Sequence, residues 1–170
     1  AYYLTGTDGT PSAAEHGTLD FANNDGIRLW RSQDLKRWEL LGHVFDLVTW
    51  PERISIGSIP WWRYPTVSTG VAFSPLVRGA WAPEYHEFGG KSLIVFSLNG
   101  QGVGILKADK PEGPYEAQAQ ITLRHGDPSM FWDEKDAFGG DGSVYWLFGG
   151  GWIAKMNDDL TAIVEQPRLL

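Results

Sequence analysis

The chain has 170 residues, with 14 Lys and Arg against 21 Asp and Glu, a formal net charge of −7 at pH 7. With no run of Lys or Arg, that balance speaks against nucleic acid and anionic membrane as partners, and no apolar stretch approaches the roughly 20 residues of a membrane span. The absence of cysteine removes disulfides, thiolate nucleophiles and cysteine-based zinc sites, whereas 42% hydrophobic and 14% aromatic residues suffice for a packed core.

Short apolar or aromatic runs bounded by Gly, Asp or Asn read as strands. The first, 2–7, begins at once, so the chain is expected to start inside an element and to be a fragment or an unusual truncation. Residues 8–25, rich in Gly, Ala, Asn and Asp, read as a loop. Residues 27–31 form the next strand and 38–41 a weaker one. The stretch 48–79 places Trp50, Trp61, Trp62 and Tyr64 beside Pro51, Pro60, Pro65 and Pro75. A loop of that length either covers a core or lines a ligand cleft. Residues 85–88 then turn at Gly89-Gly90 into 93–98, followed by 103–107. A weaker strand at 130–132 turns through Gly139-Gly140-Asp141-Gly142 into 144–148, followed by 152–156. Glycine supplies the positive φ that such hairpin turns need. No window carries a sustained 3.6-residue stripe, so helix should be rare.

Three of these strand pairs are alike: YYLTGT with GIRLWRSQDLKRWE, SLIVFSL with GVGILKADKPEGPYE, and SVYWLFGG with GWIAKMNDDL. Self-similar units of strand, turn and strand, with Trp or Tyr near the end, mark the blades of a propeller. The expected fold is therefore all-β, a partial β-propeller of about three blades in one domain, 1–170. Blade 1 covers about 1–47, a loop about 48–79, blade 2 about 80–120 and blade 3 about 121–170.

Two stretches could carry chemistry. In Asp127-Pro128-Ser129-Met130-Phe131-Trp132-Asp133 the proline holds the preceding residue extended, which suits a carboxylate projected from the head of a strand. The same residues also fit a turn in which Asp127 caps local amides. In Trp81-Ala82-Pro83-Glu84-Tyr85-His86, Trp81 offers a flat apolar face for a sugar ring. Glu84 and His86 share one strand face by period two. Alternatively Trp81 packs between sheets and Glu84 pairs with an Arg. The four histidines, His16, His43, His86 and His125, show no paired metal spacing, and there is no Gly-x-Ser-x-Gly or phosphate-binding Gly-rich loop.

These pieces, in order, resemble glycoside hydrolase family 43. They are Tyr2-Tyr3-Leu4 with Gly6-Thr7, Leu29-Trp30-Arg31-Ser32 with Asp34-Leu35 and Trp38, Trp81–Glu84, Gly113-Pro114-Tyr115, and Asp127–Asp133. The resemblance implies part of a five-bladed propeller and hydrolysis of arabinose- or xylose-containing polysaccharides such as arabinan and xylan, with inversion. It also implies three acids: a base Asp before the first Tyr-Tyr-Leu strand, an Asp at the head of the third blade that tunes the pKa and orients the acid, and a Glu in the fourth blade as acid. Asp127 matches the second; nothing in residues 1–170 matches the other two. Glu112-Gly113-Pro114 imitates the acid's surroundings but falls at the outer end of the second unit, where Gly-Pro-Tyr reads as a structural turn. Asp8, Asp20 and Asp25 are misplaced as bases. Fructan-cleaving propellers carry Arg-Asp-Pro, whereas Arg124 is separated from Asp127 by two residues.

The expected site is thus Asp127 as tuning acid with Trp81, Glu84 and His86 toward substrate, with little or no activity in the chain alone. No cofactor and no metal site is expected within the chain, although some family members hold calcium with a His from a later blade. The expected partner is a plant oligo- or polysaccharide, and a homo-oligomer, most simply a dimer, would cover open blade faces. A rival expectation is a non-catalytic carbohydrate-binding or assembly module that uses Trp50, Trp61, Trp62 and Tyr64. Secreted, periplasmic and cytoplasmic locations all fit the composition.

Overall fold

The structure, a computed structural model, describes residues 1–8, 10–11, 19–20, 26–46, 80–98, 102–121, 127–135 and 139–170. The stretch 48–79 with Trp50, Trp61, Trp62 and Tyr64, and His16, Asp25, Arg124 and His125, lie outside the described residues. Among the described residues there are strands and turns and no helix. The first sheet pairs β1 (Tyr2–Asp8), β4 (Gly26–Ser32) and β5 (Trp38–Asp46). The second runs β6 (Ala80–Phe88), β7 (Lys91–Leu98), β8 (Gly102–Ala108) and β9 (Glu116–Ile121). The third runs β10 (Ser129–Trp132), β11 (Val144–Phe148), β12 (Trp152–Lys155) and β13 (Arg168–Leu169). Every pairing is antiparallel between strands consecutive within each sheet.

The stretch expected as a plain loop within 8–25 holds a small ribbon, β2 (Thr10–Pro11) against β3 (Leu19–Asp20). Beyond that ribbon, two further strands were not located in the sequence, β9 and β13. In β9 the polar Glu116, Gln118 and Gln120 alternate with Ala117, Ala119 and Ile121, and only Ala119 and Ile121 are fully buried. Small residues on the inner face give a weak strand signal.

The second sheet is covered on both faces, which explains its continuous apolar run. Ile94 and Phe96 of β7 face the first sheet and pack with Ile27, Leu29 and Phe45. The Phe45 and Phe96 rings lie 5.1 Å apart. Their neighbours Leu93 and Val95 face the other way, onto Met130, Trp146 and Phe148 of the third sheet. Successive strand residues point to opposite faces, so one strand serves two cores. The outer sheets each leave an apolar face in solvent: Tyr2 and Leu4 on the first, Phe131 on the third, all about half exposed.

The turns follow their residues. Gly89 and Gly90, at φ of 54° and 73°, close the β6–β7 hairpin. Between β4 and β5 the buried Ser32 hydroxyl accepts the N–H groups of Asp34 and Leu35, and Asp34 Oδ1 accepts those of Lys36 and Arg37. Those backbone donors hold the Asp34 carboxyl below the usual carboxylate range. Matching hairpin to hairpin, β1 corresponds to β7 and β11, and among the described residues the first sheet has no counterpart of β6 and β10.

Candidate functional site

The site forms where the starts of β6 and β10 meet the end of β1. Trp81 pairs with Ser97 across the β6–β7 ladder, and the next pair is Glu84 with Val95, leaving Ala82 and Pro83 in a bulge. Bulges re-aim side chains at functional edges. Ala82 takes a φ of 47°, a conformation that costs a non-glycine residue about 1–3 kcal/mol unless its surroundings impose it. Its N–H donates to Thr7 Oγ1 at 3.1 Å, which staples the bulge to the end of β1.

Asp127 arrives at the same place from the third sheet. Its φ is 54°, in the left-handed region that Asp tolerates better than most side chains. Its N–H donates to Ser97 Oγ at 3.1 Å, and the following Pro128 is buried. Ser97 therefore touches Asp127 while lying opposite Trp81, and two sequence-predicted site residues come together through a third that was not predicted. Asp127 is exposed. Among the described residues its carboxylate accepts no hydrogen bond, so the cap of local amides is not seen there.

Glu84 and His86 share a strand face as period two requires, but farther along β6. Glu84 Oε2 lies 3.3 Å from His86 Nε2, an ion-pair distance without hydrogen-bond alignment. The partner of Glu84 is thus a histidine, where arginine was the sequence alternative. Burial pushes the His86 imidazole below its ordinary value, against the opposing charge of Glu84. The His86 ring stacks on Phe88 at 5.4 Å and 12°, and Phe88 meets Trp132 edge to face at 5.8 Å.

Glu112 is engaged elsewhere. Tyr3 Oη donates to its Oε1 at 2.6 Å, and Arg31 Nη1 lies 3.4 Å from the same oxygen. Arg31 Nη2 holds Glu39 Oε2 at 2.7 Å. The Tyr3 hydrogen bond, with help from Arg31, keeps the Glu112 carboxyl below its ordinary range. A general acid needs the reverse shift. Glu112 clamps the first sheet to the turn before β9, where Gly113-Pro114 is cis and Tyr115 Oη donates to the Pro111 carbonyl at 2.8 Å. Among the described residues no group of three or more His, Asp or Glu is placed to hold a metal ion.

Ser97 and Thr7 were invisible to motif reading because each is an ordinary strand residue. Counting back from the Gly89-Gly90 turn would have found Ser97 near the site, though opposite Ala82. The bulge moves Trp81 into that position.

Antiparallel sheets built from successive hairpins, with one sheet packed between two others, define the chain as part of a β-propeller. Its strands superpose on 98% of the chain with an alpha-L-arabinofuranosidase from Clostridium thermocellum, at a TM-score of 0.61 and 21% identity, covering 51% of that chain. An arabinoxylan arabinofuranohydrolase from Bacillus subtilis, solved with cellotetraose, matches 98% of the chain at a TM-score of 0.61 and 21% identity, covering 37% of that protein. At such identities the likeness shows the fold alone. The sequence model of glycosyl hydrolases family 43 matches residues 1–170, and the chain belongs to that family. A beta-D-galactofuranosidase from Aspergillus niger is 31% identical over 150 residues, 69% of this chain and 37% of its own length. An arabinoxylan arabinofuranohydrolase from Paenibacillus polymyxa is 28% identical over 123 residues, 66% of this chain and 19% of its own length. The chain spans well under half the length of these relatives.

Proposed function

We propose that the chain supplies the first three blades, with one wall of the cleft, of a glycosidase that hydrolyses α-L-arabinofuranosyl or β-D-xylosyl linkages in plant polysaccharide. The observation that carries this reading is the junction of Trp81, Ser97 and Asp127, within a chain whose whole length matches the family. Asp127 serves as the tuning acid: its negative charge raises the pKa of a general acid and orients it. Trp81 offers a sugar ring an apolar face, and Glu84 with His86 provides polar groups along the same strand. Inverting hydrolysis also requires an acid at the leaving oxygen and a base for water on the opposite side of the ring. Glu112 is engaged by Tyr3 and Arg31 at the other end of β1 from the Thr7 staple, and residues 1–170 contain no match for the second. The 170-residue chain by itself therefore binds sugar without turning it over.

Assays on aryl arabinofuranosides and xylosides, with calorimetric titration by xylo- and arabino-oligosaccharides, test this reading. Binding without turnover, weakened in Trp81→Ala, is the expected result. Absence of binding to either sugar series contradicts it. Binding unaffected by Trp81→Ala transfers the site to the non-catalytic module reading.

A further inference from the structure

We propose a second carbohydrate subsite in the groove between the second and third sheets, at the strand ends opposite Trp81 and Asp127, sized for one neutral sugar unit. The choice of ligand class rests on the function proposed above; the groove itself does not. Trp81 and Phe88 are seven residues apart on β6, roughly 20 Å at strand rise, so the two sites are separate.

The groove encloses about 290 Å³, near the lower limit of ligand pockets. Its apolar wall is Phe88 and Trp132, fixed edge to face at 86°, with 36% of Trp132 left in solvent. An indole so held offers a flat surface to the C–H face of a sugar at little entropic cost. The rim is polar: Lys107, Gln118, Asp158 and Asp159. Sugar hydroxyls both donate and accept, and this rim supplies both complements, carboxylates that accept and ammonium and amide groups that donate.

The rim is also built in advance. Gln118 Nε2 donates to the Asp159 carbonyl at 2.7 Å, tying the 158–160 turn to β9. Asn157 closes that turn from the other side: its Oδ1 accepts the N–H groups of Thr161 and Ala162, and its carbonyl accepts that of Leu160. Preorganisation lowers the cost of binding. Charge selects the ligand further. Lys91 is engaged by Asp109, which leaves Lys107 beside Asp158 and Asp159, so an anionic ligand is disfavoured and a neutral one is not.

The test is a titration of the ¹⁵N-labelled 170-residue chain with xylotriose, reading the indole N–H signals. Trp132 is assigned by its loss in Trp132→Phe and Trp81 by its loss in Trp81→Phe. A saturable shift of the Trp132 signal is expected, with affinity falling at least threefold in Asp159→Ala while the Trp81 response stays unchanged. A Trp81 response without a Trp132 response overturns the groove and leaves the main site standing. A Trp132 response alone keeps the groove and removes the main site. A Trp132 shift of the same affinity in Asp159→Ala overturns the role of the Asp159 carboxylate at the rim and the subsite with it.

Discussion

Ser97 Oγ accepts the backbone N–H of Asp127 at 3.1 Å, and Ser97 is itself the ladder partner of Trp81. One hydroxyl thus links the second sheet to the head of the third and fixes where the Asp127 carboxylate starts. Removing it in Ser97→Ala should cost about 1 kcal/mol and speed amide exchange at Asp127, whereas Ser97→Thr should keep the protected amide. Equal exchange in wild type and Ser97→Ala would show that the bond does not hold the loop. In a longer protein with turnover, Asp127→Ala should lower kcat more than it weakens binding, because a tuning charge acts on the transition state.

The Tyr3–Glu112 bond predicts a structural role for that glutamate. Tyr3→Phe should cost about 1 kcal/mol, a value discounted from buried charged hydrogen bonds because the pair is partly exposed. In the same variant the Glu112 carboxyl should titrate closer to its ordinary range. The folded pKa is depressed, so the contribution is present above the unfolded value and disappears as pH falls through the folded one. Urea unfolding of both proteins at neutral pH and near pH 3 checks this. A Tyr3→Phe effect of the same size at both values would contradict it.

His86 predicts pH dependence higher on the scale. Its folded pKa is lowered by burial, so the unfolded chain takes up the proton first as pH drops below the ordinary imidazole value. Stability should therefore be full above about pH 6.5 and decline below it. Glu84, 3.3 Å away, opposes the effect, so Glu84→Gln should steepen the decline and His86→Phe should flatten it. Thermal unfolding between pH 5 and 8 measures the slope. An unchanged slope in His86→Phe would reject the assignment.

Much of this arrangement was legible in the sequence. The apolar runs around Ile94 and Trp146 and the glycine turns between strands announced three hairpin units, because the buried second sheet needs apolar residues on both faces. The Trp81 and Asp127 stretches, singled out in the sequence as candidates, lie at the same end of the sheets. What stayed hidden depended on register: the bulge at Ala82-Pro83 changes which residue faces Ser97, and nothing local to Ser97 signals that it will meet a segment 30 residues away. β9 was missed because its inner residues are mostly alanine.

The exposed apolar faces carry a further expectation. Tyr2, Leu4, Trp38 and Leu40 lie on the first sheet and Phe131 on the third, each between about one-third and one-half exposed. Monomers rarely present extended apolar patches without a partner. We propose that the isolated 170-residue chain self-associates through these faces, most simply as a two-fold dimer. Light scattering should give twice the monomer mass, and Leu4→Lys with Leu40→Lys should return it to the monomer. A well-folded wild-type monomer at micromolar concentration would exclude the pairing.

The most direct measurement is a crystal structure of the chain with an arabinose-substituted xylo-oligosaccharide. A sugar ring resting on Trp81, with a hydroxyl within hydrogen-bond distance of the Asp127 carboxylate, is the predicted result. An oligosaccharide bound elsewhere, with the Trp81–Asp127 end of the sheets empty, would contradict it.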